Sequence, residues 1–277
     1  VTAAAGAGPA HRLVALDVPS AIAHRGGSRL APENTLAAFE RAAALGVDAI
    51  ECDVQLSRDD EVVVIHDATL DRTTDASGPV RARTADELAH VDAGSRFVDE
   101  AGRRPFAGMG IGVPRLAEVL ARWPSVPFVI EIKGTDVRAA GRVAAVIAEA
   151  GAADRVVIGG FDDAVLRAAR RALPGVPSSA SLAEVKAALR RSFFFQRPRP
   201  TGYQAFQVPR HYRGRRVATR PFVRRARAAG VAVHVWVVDA PADIRRLAGW
   251  GVTGFISDRP DVVIEELGGV TARSTRR

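Results

Sequence analysis

The sequence predicts an α/β protein built as a (β/α)₈ TIM barrel, with a small insertion after the second strand and its hairpin. Three observations carry this. After residue 20, apolar runs of strand length alternate eight times with segments of helical period, and such alternation belongs to a parallel sheet covered by helices. Eight repeats are the number at which that sheet closes, and 277 residues is an ordinary length for closure. No G-x-G-x-x-G follows the first apolar run, which removes the main support for an open dinucleotide-binding sheet.

The predicted strands are 20–26, 48–54, 127–133, 155–160, 176–181, 203–209, 231–238 and 253–257. Each is short and bounded by turn residues or a helical pattern. The first helix, 34–46, carries Leu36, Phe39 and Ala43 on one stripe and stops at Gly46. The others are predicted at 114–123, 136–151, 163–173, 181–191, 219–230, 241–251 and 259–269. The apolar run 61–67 is left over. Its link to the second strand is too short for a parallel crossover, so the two form an antiparallel hairpin. A turn centred on Asp59-Asp60 sets Asp53 opposite His66. Residues 67–113 are rich in Thr, Gly, Asp and Arg and too long for a plain loop. They read as an insertion on the catalytic face. The chain thus divides into an N-terminal arm (1–19), a barrel domain (20–269) and a C-terminal tail (270–277).

Composition is that of an ordinary globular chain, 47% hydrophobic and 25% charged. No apolar run approaches the ~20 residues of a membrane span. The first residues show no basic n-region followed by an apolar stretch, so a cytoplasmic location is expected. The single cysteine, Cys52, allows no intrachain disulfide. Net charge is +8, yet Arg190–Arg227 holds 12 arginines and no Asp or Glu. That segment at +12 leaves −4 for the rest. Its plain reading is a solvated arginine-rich surface, and it also admits peripheral membrane contact. Three of its pieces read as barrel strand or helix, so no nucleic-acid partner is expected.

Charge inside the strands marks the site. Side chains alternate along a strand, so Glu51 and Asp53 share one face, as do Glu131 and Lys133, while Ile50, Cys52, Val54, Ile130 and Ile132 face the helices. The acidic groups then gather at the C-terminal mouth, where His24 and Arg25 end the first strand. Three converging carboxylates need a counter-charge. All-oxygen ligands suit a divalent cation, Ca²⁺, Mg²⁺ or Mn²⁺; a buried salt-bridge network with Arg25 and Lys133 is the alternative. His24 and His66 suit an acid–base pair. Together these groups form a site for a phosphate ester, and the absence of G-x-x-x-x-G-K-[ST] argues against a P-loop. His234 shares a face with Trp236 and either borders the pocket or fills the core. His11, His90 and His211 receive no role.

The stretch AHRGGSRLAPENTLAAFERAAALGVDAIECDVQLSRDDEVVVIHDATLDRTT, followed in order by VPRLAEVL, FVIEIK, VHVWVVD and GFISDRPD, resembles the glycerophosphodiester phosphodiesterases over roughly residues 20–264. The resemblance implies a metal-dependent hydrolase of glycerol and lipid metabolism that releases sn-glycerol 3-phosphate and an alcohol. It implies His24 and His66 as the catalytic pair, and Glu51, Asp53 and Glu131 as metal ligands. Arg25 and Lys133 become the phosphate-binding cations, and Trp236 an aromatic wall on the glycerol side. Glu33 and Asn34 match a motif bordering the mouth. In the implied reaction a glycerol hydroxyl attacks phosphorus and water opens the cyclic phosphate. Two departures, Asp239 after Trp236-Val237-Val238 and Gly160-Phe161 at the fourth strand, bear on the alcohol.

Two other readings compete. RRSFFFQRPRP (190–200) joins basic and aromatic residues, which suits lysophospholipase-D-like hydrolysis at a membrane surface; the plainer expectation is that Phe193, Phe194 and Phe195 are buried at the helix end. A non-catalytic anion-binding barrel is disfavoured because the matched polar residues are all present.

Overall fold

The computed structural model describes residues 8–274; residues 1–7 of the arm and 275–277 of the tail lie outside the described residues. A short helix α1 (Pro9–Leu13) precedes strand β1 (Ser20–Ala23), which ends in a 3₁₀ turn, His24–Gly26. Helix α2 (Leu36–Leu45) leads to β2 (Ala49–Leu56) and β3 (Val62–Val64). Helices α3 (Ala85–Ala89) and α4 (Leu116–Arg122) separate these from β4 (Phe128–Ile132). Then follow α5 (Arg138–Glu149), β5 (Val156–Gly160), α6 (Asp163–Ala172), α7 (Leu182–Phe193) and β6 (Ala205–Pro209). A two-residue ribbon, β7 (His211–Tyr212) and β8 (Arg215–Arg216), precedes α8 (Arg220–Arg227). The chain closes with β9 (Ala232–Trp236), α9 (Pro241–Ala248), β10 (Gly254–Ser257) and α10 (Pro260–Ser274). α10 therefore runs on into the expected tail.

Seven strands form a parallel sheet in the order β5-β4-β2-β1-β10-β9-β6. The predicted fifth strand, 176–181, is reduced to single bridges, Ile158 to Ser178 and Ser179 to Ala205. These still close the ring. Ser179 N–H donates to the Ile158 carbonyl and Ala180 N–H to that of Ala205, so the segment occupies the eighth position with little regular pairing. Local signals set the helix ends. Thr35 caps α2 through its hydroxyl and Gly46 ends it at φ 72°. Ser181 and Glu184 form a capping box on α7.

The hairpin is present, with Val54 opposite Val64. Its register differs by one residue from the expected one. The turn runs from Ser57 to Glu61, with Asp60 left-handed at φ 60°, and Ile65 N–H, not His66, bonds the Asp53 carbonyl. Residues 67–113 pack a small apolar cluster, including Leu70, Val80, Leu88 and Val113, onto Val63 and Ile65 of the hairpin. They touch the chain beyond β1 and β10 through Arg72 to Glu33 and Arg259 to Glu100.

The two faces of the strands explain the core. Ile50, Cys52, Val54, Ile130 and Ile132 pack outward with Phe39, Leu116, Val143 and Leu166. Facing inward at the lower end, Ile22, Ala49, Val129, Val157 and Ile256 meet Ala10 and Leu13 of the arm. The arm is thus the floor of the barrel. His234 belongs to this floor and not to the pocket: it is fully buried, and its Nε2 lies 2.8 Å from the Leu13 carbonyl. Burial depresses its pKa to about 4. A Cβ on Gly254 would lie 2.3 Å from the His234 ring, so glycine there makes room for the imidazole. Along the inward face of β2 the order Ala49, Glu51, Asp53 climbs from apolar floor to charged mouth.

Candidate active site

A cavity of about 250 Å³ opens at the C-terminal ends of the strands. His24, Arg25, Glu51, Asp53, His66, Glu131, Lys133 and Trp236 all line it. The eight residues singled out from the sequence are therefore brought together, from β1, β2, β4, β9 and the turn after β3.

The acidic centre comes from adjacent strands in register, Asp53 beside Glu131. One oxygen each from Glu51, Asp53 and Glu131 lies within 4.8 Å of the others. Their surroundings differ. Asp53 is 2.8 Å from Lys133 Nζ and 3.0 Å from Arg25 Nε, and accepts a hydrogen bond from Asn34 Nδ2 at 2.9 Å. The Arg25 contact is close but poorly directed, because Nε has no partner of hydrogen-bond geometry. Burial opposes ionisation of Asp53, yet Lys133 and Arg25 outweigh it and hold its pKa low. Glu131 pairs with Lys133. Glu51 accepts only the Arg25 backbone N–H, at 2.9 Å, and has no ion pair among the described residues. Burial and the neighbouring Asp53 push Glu51 up to about 8. The two cations thus answer two of the three carboxylates. The buried salt-bridge network is incomplete, and a divalent cation suits the remaining charge and the all-oxygen donor set.

Each histidine is fixed by a carboxylate at Nδ1. His24 Nδ1 lies 2.5 Å from Asp258 Oδ1, and His66 Nδ1 lies 2.6 Å from Asp67 Oδ1. In each ring this leaves Nε2 for other work. Burial works against protonation of His24, but the Asp258 hydrogen bond and the Glu51 charge raise its pKa. For His66 burial dominates, Lys133 and Arg25 add to it, and the pKa falls.

No local sequence pattern marks several of these partners. Asp258 lies 234 residues from His24 and meets it only through barrel closure. Arg72, in the insertion, donates to Asp67 at 2.6 Å and to Glu33 at 2.7 and 2.8 Å. Glu33 in turn accepts from Arg25 at 2.7 Å. A continuous run of alternating charges therefore links Glu131 to His66 through Lys133, Asp53, Arg25, Glu33, Arg72 and Asp67. Gln207 also lines the cavity, and its Nε2 is buried without a partner. A polar residue between Phe206 and Val208 on a barrel strand was the available signal. Trp236 and Phe161 meet edge to face at 6.1 Å, beside Leu182 and Val185, and the Lys133 Nζ lies 5.9 Å from the Phe161 ring.

Residues 24–262 match the family described as the glycerophosphoryl diester phosphodiesterase family. The chain belongs to that family. It is 36% identical over 253 residues to a glycerophosphodiester phosphodiesterase of Caldanaerobacter subterraneus subsp. tengcongensis, covering 88% of this chain and 95% of the relative. A probable glycerophosphodiester phosphodiesterase 2 of Mycobacterium tuberculosis is 33% identical over 260 residues, covering 89% and 90%. Among solved structures, a putative glycerophosphoryl diester phosphodiesterase from Silicibacter pomeroyi superposes with a TM-score of 0.78 at 26% identity, covering 95% of this chain and 98% of that one. This member of the family is accordingly an enzyme, a phosphoric diester hydrolase acting on glycerophosphodiesters. No helix among its described residues is long and apolar enough to cross a membrane.

Proposed function

We propose that this phosphodiesterase hydrolyses glycerophosphodiesters to sn-glycerol 3-phosphate and an alcohol, with one divalent cation and an acid–base pair, His24 and His66. The observation that carries it is Glu51, a buried carboxylate with no ion-pair partner among the described residues, inside a three-carboxylate cluster. Glu51, Asp53 and Glu131 would hold the cation, Ca²⁺, Mg²⁺ or Mn²⁺. Bound there, it supplies Lewis-acid polarisation of a phosphoryl oxygen.

The chain's own residues do the rest. Arg25 and Lys133 meet the phosphate charge, and it grows most strongly stabilised where it develops in the transition state. One imidazole takes the proton of the attacking glycerol hydroxyl and the other gives a proton to the leaving alcohol oxygen; with the roles reversed, water gives up a proton as it opens the cyclic phosphate and the ring oxygen regains one, leaving sn-glycerol 3-phosphate. Asp258 and Asp67 hold the rings so that Nε2 faces the substrate. Gln207 Nε2 supplies a donor to a substrate oxygen. Trp236 and Phe161 form the apolar wall against the glycerol carbons, excluding water.

The lysophospholipase-D-like reading is the less favoured, because Phe193, Phe194 and Phe195, which motivate it, lie at the end of α7 away from Leu182 and are not among the residues lining the cavity. The test is release of sn-glycerol 3-phosphate from glycerophosphocholine and glycerophosphoethanolamine by cation-stripped protein, before and after adding Ca²⁺, Mg²⁺ or Mn²⁺. Activity is expected only with a cation, and neither His24→Ala nor Glu51→Ala should show it. Inactivity with every cation overturns the proposal.

A further inference from the structure

We propose that the barrel end opposite the catalytic mouth is a docking surface for an anionic lipid bilayer, seated through Phe193, Phe194 and Phe195. The sequence suggested that these rings were buried. The structure exposes them, at 78%, 64% and 85%. The buried stripe of α7 runs through Val185, Ala188 and Ser192, and the three phenylalanines fall beyond it. Phe193 and Phe194 meet edge to face at 5.4 Å, and Phe195 lies under the Arg225 guanidinium at 5.2 Å. Phe195 takes a left-handed backbone, φ 60°, unfavourable for a bulky side chain. Exposing three consecutive aromatic rings to water is costly unless something covers them.

Charge identifies the cover. Arg225 lies over Phe195, and Arg190, Arg191, Arg197 and Arg199 flank the three rings in the chain; none of these five is ion-paired with a carboxylate among the described residues. The intervening sequence holds no Asp or Glu. Aromatic rings at headgroup depth, with guanidinium groups on lipid phosphates, are the chemistry of an anionic bilayer surface. The rings project from a helix end and line none of the four cavities described, and a peptide or helix needs a groove.

Helix direction fixes the orientation. Leu182, the first residue of α7, lines the catalytic cavity. Phe193, its last, is eleven residues further on, about 16 Å along the axis at ~1.5 Å per residue. The same end carries the last residues of α8, where Arg197 donates to the Ala228 carbonyl. A docked enzyme therefore turns its mouth away from the bilayer. It would sit at the membrane yet act on diesters already released into water, and a diester still anchored by an acyl chain would meet the wrong end.

The test is cosedimentation with vesicles of phosphatidylcholine alone and of phosphatidylcholine with phosphatidylglycerol. Binding is expected to the anionic vesicles. The triple change Phe193→Ser, Phe194→Ser, Phe195→Ser should weaken it by roughly a hundredfold, with hydrolysis of soluble glycerophosphodiester unchanged. Because Cys52 is buried, an environment-sensitive dye can be placed at Phe194→Cys or at Phe161→Cys beside the mouth. Only the first should shift to the blue on anionic vesicles. Absence of vesicle binding, equal binding by the triple variant, or a shift confined to the dye at 161 overturns the proposal. So does a lipid-free oligomer that the triple change dissociates, which would assign the rings to a second copy of the chain.

Discussion

His24 Nδ1 and Asp258 Oδ1 stand 2.5 Å apart, joining the end of β1 to the turn after β10. The pair forms where the first and last strands of the barrel meet, so closure of the ring and orientation of the imidazole are one event. Asp258 is itself fixed, since the Arg29 N–H donates to its carbonyl. Asp258→Asn keeps the shape and loses the charge. It is expected to lower kcat by ~10–100-fold with KM little changed, as an orienting partner should. Steady-state kinetics on glycerophosphocholine decide it; an equal rise in KM would show that Asp258 acts on binding instead.

Glu51 should reveal the cation without any assay of turnover. A buried carboxylate with no ion-pair partner among the described residues destabilises the metal-free protein, and neutralising it is neutral or stabilising. Glu51→Gln is therefore expected to match or exceed the parent Tm in chelator. Adding the cation should raise the parent's stability by ~2.7 kcal/mol at a hundred times Kd, and Glu51→Gln should show no such gain. A parent whose melting is indifferent to Ca²⁺, Mg²⁺ and Mn²⁺ would remove the cation from the mechanism.

Gln207 tests substrate contact. Its unpaired Nε2 faces the cavity from β6. Gln207→Leu keeps the volume and removes the donor. A hydrogen bond of ~1 kcal/mol corresponds to roughly a five- to tenfold loss in kcat/KM, with folding stability unchanged or slightly raised. Unaltered kinetics would mean that water, not substrate, satisfies this amide.

The floor of the barrel carries its own pH dependence. His234 is held neutral, near 4 against an ordinary 6.5, by burial beneath Gly254. Below about pH 6.5 the unfolded chain takes up a proton at this ring and the folded chain does not. Its contribution is thus complete above that pH and is lost as pH falls toward about 4, a total of ~3 kcal/mol. Denaturant unfolding at about pH 7 and about pH 4.5 measures it. The loss should be smaller in His234→Gln, and an identical slope in the two proteins would count against the assignment.

The strand–helix alternation and the charged strand positions were legible because each rests on local periodicity. Glu51, Asp53, Glu131 and Lys133 follow from alternation within two strands. What was not legible depends on distance or on what a helix leaves uncovered. Asp258 and Arg72 reach their partners across 234 and 39 residues, and no local pattern links them. The hairpin slipped by one residue because Asp60 takes a left-handed turn that Asp59-Asp60 does not announce. The fifth strand has two serines where pairing should be richest, and it survives only as bridges. Phe193–Phe195 were expected inside because phenylalanine usually is; the period of α7 through Val185, Ala188 and Ser192 already left them off the stripe.

The contact of Gly254 with His234 has a consequence for how this sequence can vary. The glycine is not there for backbone freedom; it is there because the imidazole already occupies the space a side chain would need. Neither position can change first without cost: a side chain at 254 clashes with the imidazole, and a smaller residue at 234 leaves a void. An alanine at 254 becomes tolerable only after the histidine has given way to something smaller, and that step leaves the Leu13 carbonyl without its partner. The two positions are thus expected to be replaced in a fixed order or not at all, so that the route taken through sequence space is narrower than the list of residues that would fit at the end of it.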